Sequence, residues 1–273
     1  MRARKRFAQH FLEPAWVAKV VKAVDAKPDE DVLEIGPGRA AITRPLAEQC
    51  GRLLAIEVDR DLAADLEATK PANVTVVVGD VLEQDLAATL STWLGAPLGP
   101  QHSVRVVGNL PYNISSPILF GLLELAASTG GVRDAILMLQ KEVADRLVAK
   151  VGSGDYGVLT VLTSIHADVT RLLSLPPGAF RPPPQVQSAV VRLTFRPPAV
   201  DIPDMPGFVR MVRTTFTQRR KTLSNALKPF GTERSVAPAD ALGRAGIDGQ
   251  RRPETLSTSE MAALFRAFHV AGS

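Results

Sequence analysis

The sequence predicts an α/β fold, a mostly parallel sheet covered by helices on both faces and closed by an antiparallel edge, followed by a small C-terminal helical domain. Three observations lead there. Short apolar strands alternate with amphipathic segments from Asp31 to Leu139, the pattern of parallel strands joined by helical crossovers. After Tyr156 two strand-like segments follow each other with little room for a helix between them, as an antiparallel pair requires. Beyond Arg196-Pro197-Pro198 only helical periodicity remains.

The elements follow in order. Glu13-Pro14 is a helix start signal before the apolar stretch Trp16 to Val24. Asp31 to Ile35 reads as a strand running into Gly36-Pro37-Gly38, with a helix over Ala40 to Gln49. Leu53 to Glu57 is a second strand, with a helix from Arg60 to Thr69. Val74 to Val78 is a third, ending at Gly79-Asp80, and Val104 to Val107 a fourth, ending at Gly108-Asn109. Ala135 to Leu139 is the fifth. The β-branched stretch Leu159 to Leu173 and the segment Ala189 to Phe195 supply the antiparallel edge. Pro197 to Pro206 marks a boundary, so a catalytic domain is expected over residues 1–197 and a helical domain over residues 198–273. Within the second, Phe208 to Leu227 and Ser257 to Phe268 have helical periodicity, and Ser257 and Glu260 have the spacing of a capping box.

Composition narrows the function classes. The 273 residues are 45% hydrophobic and 22% charged, an ordinary globular balance. No apolar run approaches the ~20 residues that span a bilayer, and the basic N-terminus lacks the apolar core of a secretion signal, so a cytoplasmic protein is expected. One cysteine, Cys50, rules out an internal disulfide, and the four histidines lack metal-ligand spacing, so no metal is expected. A net charge of +4 is modest, but Arg2, Arg4, Lys5 and Arg6 cluster at one end and Arg219, Arg220 and Lys221 form a second block. Two basic clusters flanking a catalytic domain point to a polyanionic partner.

In open α/β sheets the ligand lies beyond the carboxyl ends of the strands, and those ends carry a consistent polar series here. Gly36 and Gly38 let the backbone approach a ligand. Glu57 can accept two ribose hydroxyls, and Asp80 an adenine amino group. Together they describe an adenosine pocket. The spacing Gly36-x-Gly38-x-x-Ala41 with an acid near twenty residues on also satisfies a dinucleotide fingerprint, which leaves a nicotinamide enzyme open on these residues. Asn109-Leu110-Pro111-Tyr112 favours amino methylation. An adenine N6 is a poor nucleophile because its lone pair is delocalised into the ring. The Asn109 amide oxygen and the Leu110 carbonyl can accept its two N–H bonds, Pro111 stiffens the segment, and Tyr112 offers a face for the base. No strong base is required, because the methylated amine is cationic and can lose its proton to water. Phe180, ahead of the stiff Arg181-to-Ser188 loop, is expected to clamp the other face of a flipped-out base.

Five segments, Gln9-His10-Phe11-Leu12, Glu34-Ile35-Gly36-Pro37-Gly38, Asn109-Leu110-Pro111-Tyr112-Asn113, the Phe180 loop and Phe216 to Leu223, resemble those of the KsgA-type ribosomal RNA adenine dimethyltransferases across nearly the whole chain. The resemblance implies a Rossmann-like class I methyltransferase sheet. It also implies S-adenosyl-L-methionine as cofactor and dimethylation of two adjacent adenosines near the 3′ end of 16S rRNA, in the small ribosomal subunit or its precursor, with a role in subunit biogenesis; a monomer is expected. It puts His10, Leu12, Gly36, Gly38, Glu57, Asp80 and Asn109 on cofactor positions and Tyr112 and Phe180 on base-stacking positions. RNA contacts fall to Arg4, Lys5, Arg6, Arg219, Arg220 and Lys221. His10 departs from the family pattern, which often has asparagine there. The alternatives are a large-subunit methyltransferase of the erythromycin-resistance type, against which Phe216 to Leu223 argues, and a non-catalytic ribosome-assembly protein.

Overall fold

The computed structural model describes residues 11–269. They divide into two compact units, one running to Ala144 and resuming over Ala167–Arg196, the other comprising Asp145–His166 and the chain from Pro197 onward.

The first unit opens with the short strand β1 (Phe11–Leu12) and helix α1 (Pro14–Val24), and continues through β2 (Asp31–Ile35), α2 (Thr43–Ala47), β3 (Arg52–Glu57), α3 (Arg60–Thr69), β4 (Val74–Val78), α4 (Leu86–Leu94), β5 (Val104–Asn109), α5 (Ser115–Thr129) and β6 (Val132–Gln140). Helix α6 (Lys141–Leu147) follows and is divided between the units after Ala144; β7 (Ala167–Leu175), β8 (Phe180–Arg181) and β9 (Ser188–Phe195) complete the first unit. Seven strands form one sheet in the order β4-β3-β2-β5-β6-β9-β7. β2 to β6 run parallel, and β9 lies antiparallel to both β6 and β7. The predicted fold class and antiparallel edge are therefore present. Burial is nearly continuous along β2, β3 and β5, as it must be where helices cover both faces of a sheet.

At the amino ends of these strands, Arg105 makes a two-pronged bond to Asp134 at 2.8 and 3.0 Å. It also donates to the main-chain oxygens of Val24 and Asp25. A guanidinium this buried is tolerable only when its donors are satisfied, and here they tie the end of α1 to β5 and β6. The short ribbon β1–β8 is antiparallel, with Leu12 opposite Phe180, and the Glu13 N–H donates to the Ala179 carbonyl at 2.9 Å. No strand was expected at either place, because two residues are too few to show a period.

The second unit contains α7 (Val158–His166), α8 (Met205–Thr217), α9 (Leu223–Ala226), α10 (Lys228–Arg234), α11 (Pro238–Ala245) and α12 (Thr258–Phe268). Its core is aromatic: Phe208 meets Phe265 edge-on at 5.6 Å and Phe230 meets Phe268 at 5.2 Å. The capping box of Ser257 and Glu260 is formed in full.

Two expectations are corrected. The strand expected over Leu159 to Leu173 begins only at Ala167, because Val158 to His166 is helical. Its β-branched residues disfavour a helix only weakly, while Val158, Val161, Leu162 and Ile165 stand at helical spacing, and the last three of these are buried. Residues 145–166 also group with the helices rather than with the catalytic domain. Tyr156 donates to the Leu256 carbonyl at 2.8 Å, and the Ser164 and Thr258 hydroxyls are 2.6 Å apart.

Candidate active site

A cavity of about 280 Å³ opens at the carboxyl ends of β2 to β5. It lies over the point between β2 and β5 where successive connections leave in opposite directions, the usual ligand crevice of such sheets. Leu12, Gly36, Gly38, Glu57, Asp80, Asn109, Leu110, Pro111 and Tyr112 all line it, so most of the residues singled out in the sequence are brought together in one place. His10 lies outside the described residues, as do Arg4, Lys5 and Arg6.

The loop after β2 is shaped by its glycines. Gly36 and Gly38 have φ of 69° and 58°, a region that side chains resist. Ala40 has φ of 58° as well and is 3% exposed, its methyl packed into the core cluster. The loop is gripped from β3: Glu57 Oε2 accepts the Gly38 N–H at 2.9 Å, and Oε1 accepts the Asp59 N–H at 2.9 Å. A carboxylate has room for about four hydrogen bonds, so half of its capacity remains for a ligand. Asp59 caps α3, accepting from Asp61 and Leu62, and Asp80 Oδ1 accepts the Leu82 N–H at 2.9 Å, which turns the chain after β4. Polar acceptors on two neighbouring strand ends, with a glycine loop beside them, suit a ligand that carries ribose hydroxyls and an adenine amino group.

The sequence reading missed Glu34. It is 3% exposed near the end of β2 and lines the cavity. Burial pushes its carboxyl up to about 7, and the charge of Glu57 adds to the rise. Glu34 Oε2 and Thr43 Oγ1 both have no hydrogen-bond partner among the described residues. An acid amid Val32, Leu33 and Ile35 was the available signal. Phe11 was missed too: its ring lies 3.5 Å from where a Cβ on Gly38 would stand, and the Arg39 guanidinium sits 4.1 Å above it. Both line the cavity.

The far end of the cavity is built by the segment after β5. Asn109 pairs with Met138, and the Leu110 N–H donates to the Met138 carbonyl at 3.2 Å, which carries strand pairing one residue further. Pro111 ends it by lacking a donor, and the Ile114 N–H returns to the Pro111 carbonyl at 3.1 Å. Gly108 makes the turn possible, since a Cβ there would fall 2.9 Å from Leu110 Cδ2 and 3.1 Å from the Ile35 oxygen. The Tyr112 hydroxyl is 2.7 Å from Ser188 Oγ. Burial raises the phenol pKa and the Ser188 bond opposes that rise.

One site residue sits elsewhere than expected, and a second is engaged within its own unit. Phe180 does not line the cavity. It is 2% exposed in the core cluster with Leu12 and Ala179, and its ring has no face free for a base. Arg219 is committed within the helical unit, donating to the Ser153 oxygen at 2.8 Å and lying 3.7 Å from the Glu254 carboxylate. Arg220 and Lys221 are exposed, because α8 stops at Thr217 and the basic block forms a turn before α9 rather than continuing a helix. No helix among the described residues is long and apolar enough to cross a membrane, and no group of three or more potential metal-binding side chains is found among them.

A seven-stranded sheet with a reversed penultimate strand, holding at its switch point a cavity lined by Gly36, Glu57, Asp80 and Asn109, defines a Rossmann-like methyltransferase. The chain belongs to the ribosomal RNA adenine dimethylase family, whose model matches residues 1–269. It is 46% identical over 266 residues to the ribosomal RNA small subunit methyltransferase A of Aromatoleum aromaticum, covering 96% of this chain and 93% of that one. It is 43% identical over 279 residues to the protein of the same name from Geobacter metallireducens, covering 100% and 98%. Among solved structures, a dimethyladenosine transferase from Plasmodium falciparum shares the fold with a TM-score of 0.74 at 24% identity, over 95% of this chain and 98% of that one. The 23S rRNA methyltransferase ErmE matches with a TM-score of 0.65 at 26% identity, over 95% and 99%.

Proposed function

We propose that this chain transfers methyl groups from S-adenosyl-L-methionine to the N6 amino groups of two adjacent adenosines near the 3′ end of 16S rRNA, giving dimethyladenosines during small-subunit biogenesis. The observation that carries the reading is the Asn109-to-Tyr112 turn at one end of a cavity whose other end presents Glu57 and Asp80. Relatives over 40% identical along nearly their full length, named for the small subunit, supply the address.

S-adenosylmethionine would supply a methyl group already activated by its sulfonium. Glu57 accepts its ribose hydroxyls with the lone pairs left after Gly38 and Asp59, Asp80 accepts from its adenine, and Gly36, Gly38 and Leu12 border it. Asn109 Oδ1 and the Leu110 carbonyl accept the two N–H bonds of the target amine. This turns its lone pair out of the ring plane and toward the methyl group, while Tyr112 holds the base. Orientation and fixed dipoles provide the acceleration. Bound there, S-adenosylmethionine would give up its methyl group to the nitrogen with loss of the sulfur–methyl bond, and water beside the site would take the proton of the methylated amine. Arg220 and Lys221, on a docking unit formed by residues 198–273 with residues 145–166, contact RNA phosphates. The enzyme works as a cytoplasmic monomer without a metal.

Incubating methyl-labelled S-adenosylmethionine with unmodified small and large subunits and mapping the label tests the reading. The expected result is dimethyladenosine near the 3′ end of 16S rRNA. Label in 23S rRNA would favour the second reading, which the likeness to ErmE motivates.

A further inference from the structure

The Tyr112 ring is fixed by a residue far away in sequence. Its hydroxyl lies 2.7 Å from Ser188 Oγ, and the two oxygens can exchange donor and acceptor roles. Ser188 is 1% exposed. It opens β9, in register with Gln140 of β6 on one side and Leu175 of β7 on the other. It is therefore held by the sheet from both edges. Tyr112 stands in an irregular turn outside the sheet, and its own main-chain carbonyl accepts from Ser115 Oγ at 3.3 Å.

We propose that Ser188 is a positioning residue, which holds the Tyr112 ring so that its face meets the target base. The inference rests on the reading of Tyr112 as the base-holding side chain. A tyrosine has two side-chain torsions, and a ring anchored only at Cβ can swing or tilt within its cavity. A hydrogen bond at the opposite end, to an oxygen fixed in a sheet, removes that freedom. It also satisfies a phenol hydroxyl where burial leaves little water to do so. The loop from Arg181 to Ser188 then serves the base site through its last residue, and the buried Phe180 at its start anchors it in the core.

A double-mutant cycle tests this, read as single-turnover methylation of undermodified small subunits, with S-adenosylmethionine affinity measured separately by calorimetry. Ser188→Ala and Tyr112→Phe each remove the same bond, one from either side. Each is expected to slow methyl transfer about fivefold, the worth of one neutral hydrogen bond. The double variant should be no slower than either single variant, and cofactor affinity should be the same in all three. Losses that multiply in the double variant overturn the proposal, as do wild-type rates in both singles when Tyr112→Ala is slow. A Tyr112→Ala variant with the wild-type rate would instead remove the base-holding reading beneath it. Tyr112→Phe leaves β9 untouched, so it carries the test should Ser188→Ala fail to fold.

Discussion

Glu57 Oε2 accepts the main-chain N–H of Gly38 at 2.9 Å, so the carboxylate at the end of β3 holds the glycine loop after β2 in shape. The same side chain is thus both a wall of the cavity and the support of its neighbour. Replacing it should remove a ligand contact and free two main-chain amides at once. Glu57→Ala is expected to weaken S-adenosylmethionine binding at least about tenfold and to cost about 2 kcal/mol of stability, the range for hydrogen bonds to a charged group. Calorimetric titration and urea denaturation measure the two effects. Unchanged affinity would take Glu57 out of the site.

On the proposed reading, the Asn109 amide serves mainly the reacting nitrogen, although it also lines the cavity that would hold the cofactor. Asn109→Ala should lower the single-turnover rate on the order of a hundredfold, as loss of one preorganised polar group commonly does, and leave S-adenosylmethionine affinity within about twofold of wild type. Weakened affinity with an unchanged rate at saturating cofactor would mean that Asn109 serves binding alone.

Glu34 makes stability depend on pH in an unusual direction. Burial raises its carboxyl from 4.5 to about 7, so the folded chain keeps a proton that the unfolded chain has released. The contribution is fully present below pH 4.5 and is lost as pH rises through about 7. Glu34→Gln has no such proton to lose. It should match wild type near pH ~4 and exceed it at pH ~8 by up to about 3 kcal/mol, as read by denaturant unfolding across that range. A constant difference between the two proteins would show that Glu34 stays ionised in the fold.

The three residues of the basic block should separate. Arg220→Glu and Lys221→Glu, both exposed, are expected to weaken RNA binding and to lower the slope of log affinity against log salt by about 1 for each phosphate left without its cation. Arg219→Ala is expected to lower thermal stability instead, because its guanidinium holds the Ser153 carbonyl. Filter binding over a salt series, with melting curves for each variant, distinguishes the roles. An unaltered salt slope in the first two would remove them from the RNA surface.

The sheet was legible in the chain because parallel strands buried on both faces show as unbroken apolar runs, and because their polar ends, Gly36, Glu57, Asp80 and Asn109, fall at fixed places relative to those runs. The helix over Val158–His166 was not legible, since its β-branched residues read as a strand until packing overrides that preference. The ribbon pairing Leu12 with Phe180 was invisible for a different reason: each strand contributes two residues, and their sequence separation hides the pairing.

By itself the sequence determined which polar residues stand at the strand ends that line the cavity. Motif spacing relative to the strand ends depends only on local order, and local order is what a sequence records. Tertiary structure alone decided what each side chain faces. It turned Phe180 into the core, committed Arg219 to a carbonyl, buried Glu34 beside Glu57, and set Ser188 against Tyr112. Those outcomes depend on residues distant in the chain meeting in space, where one close approach or one unmet hydrogen bond outweighs any local preference.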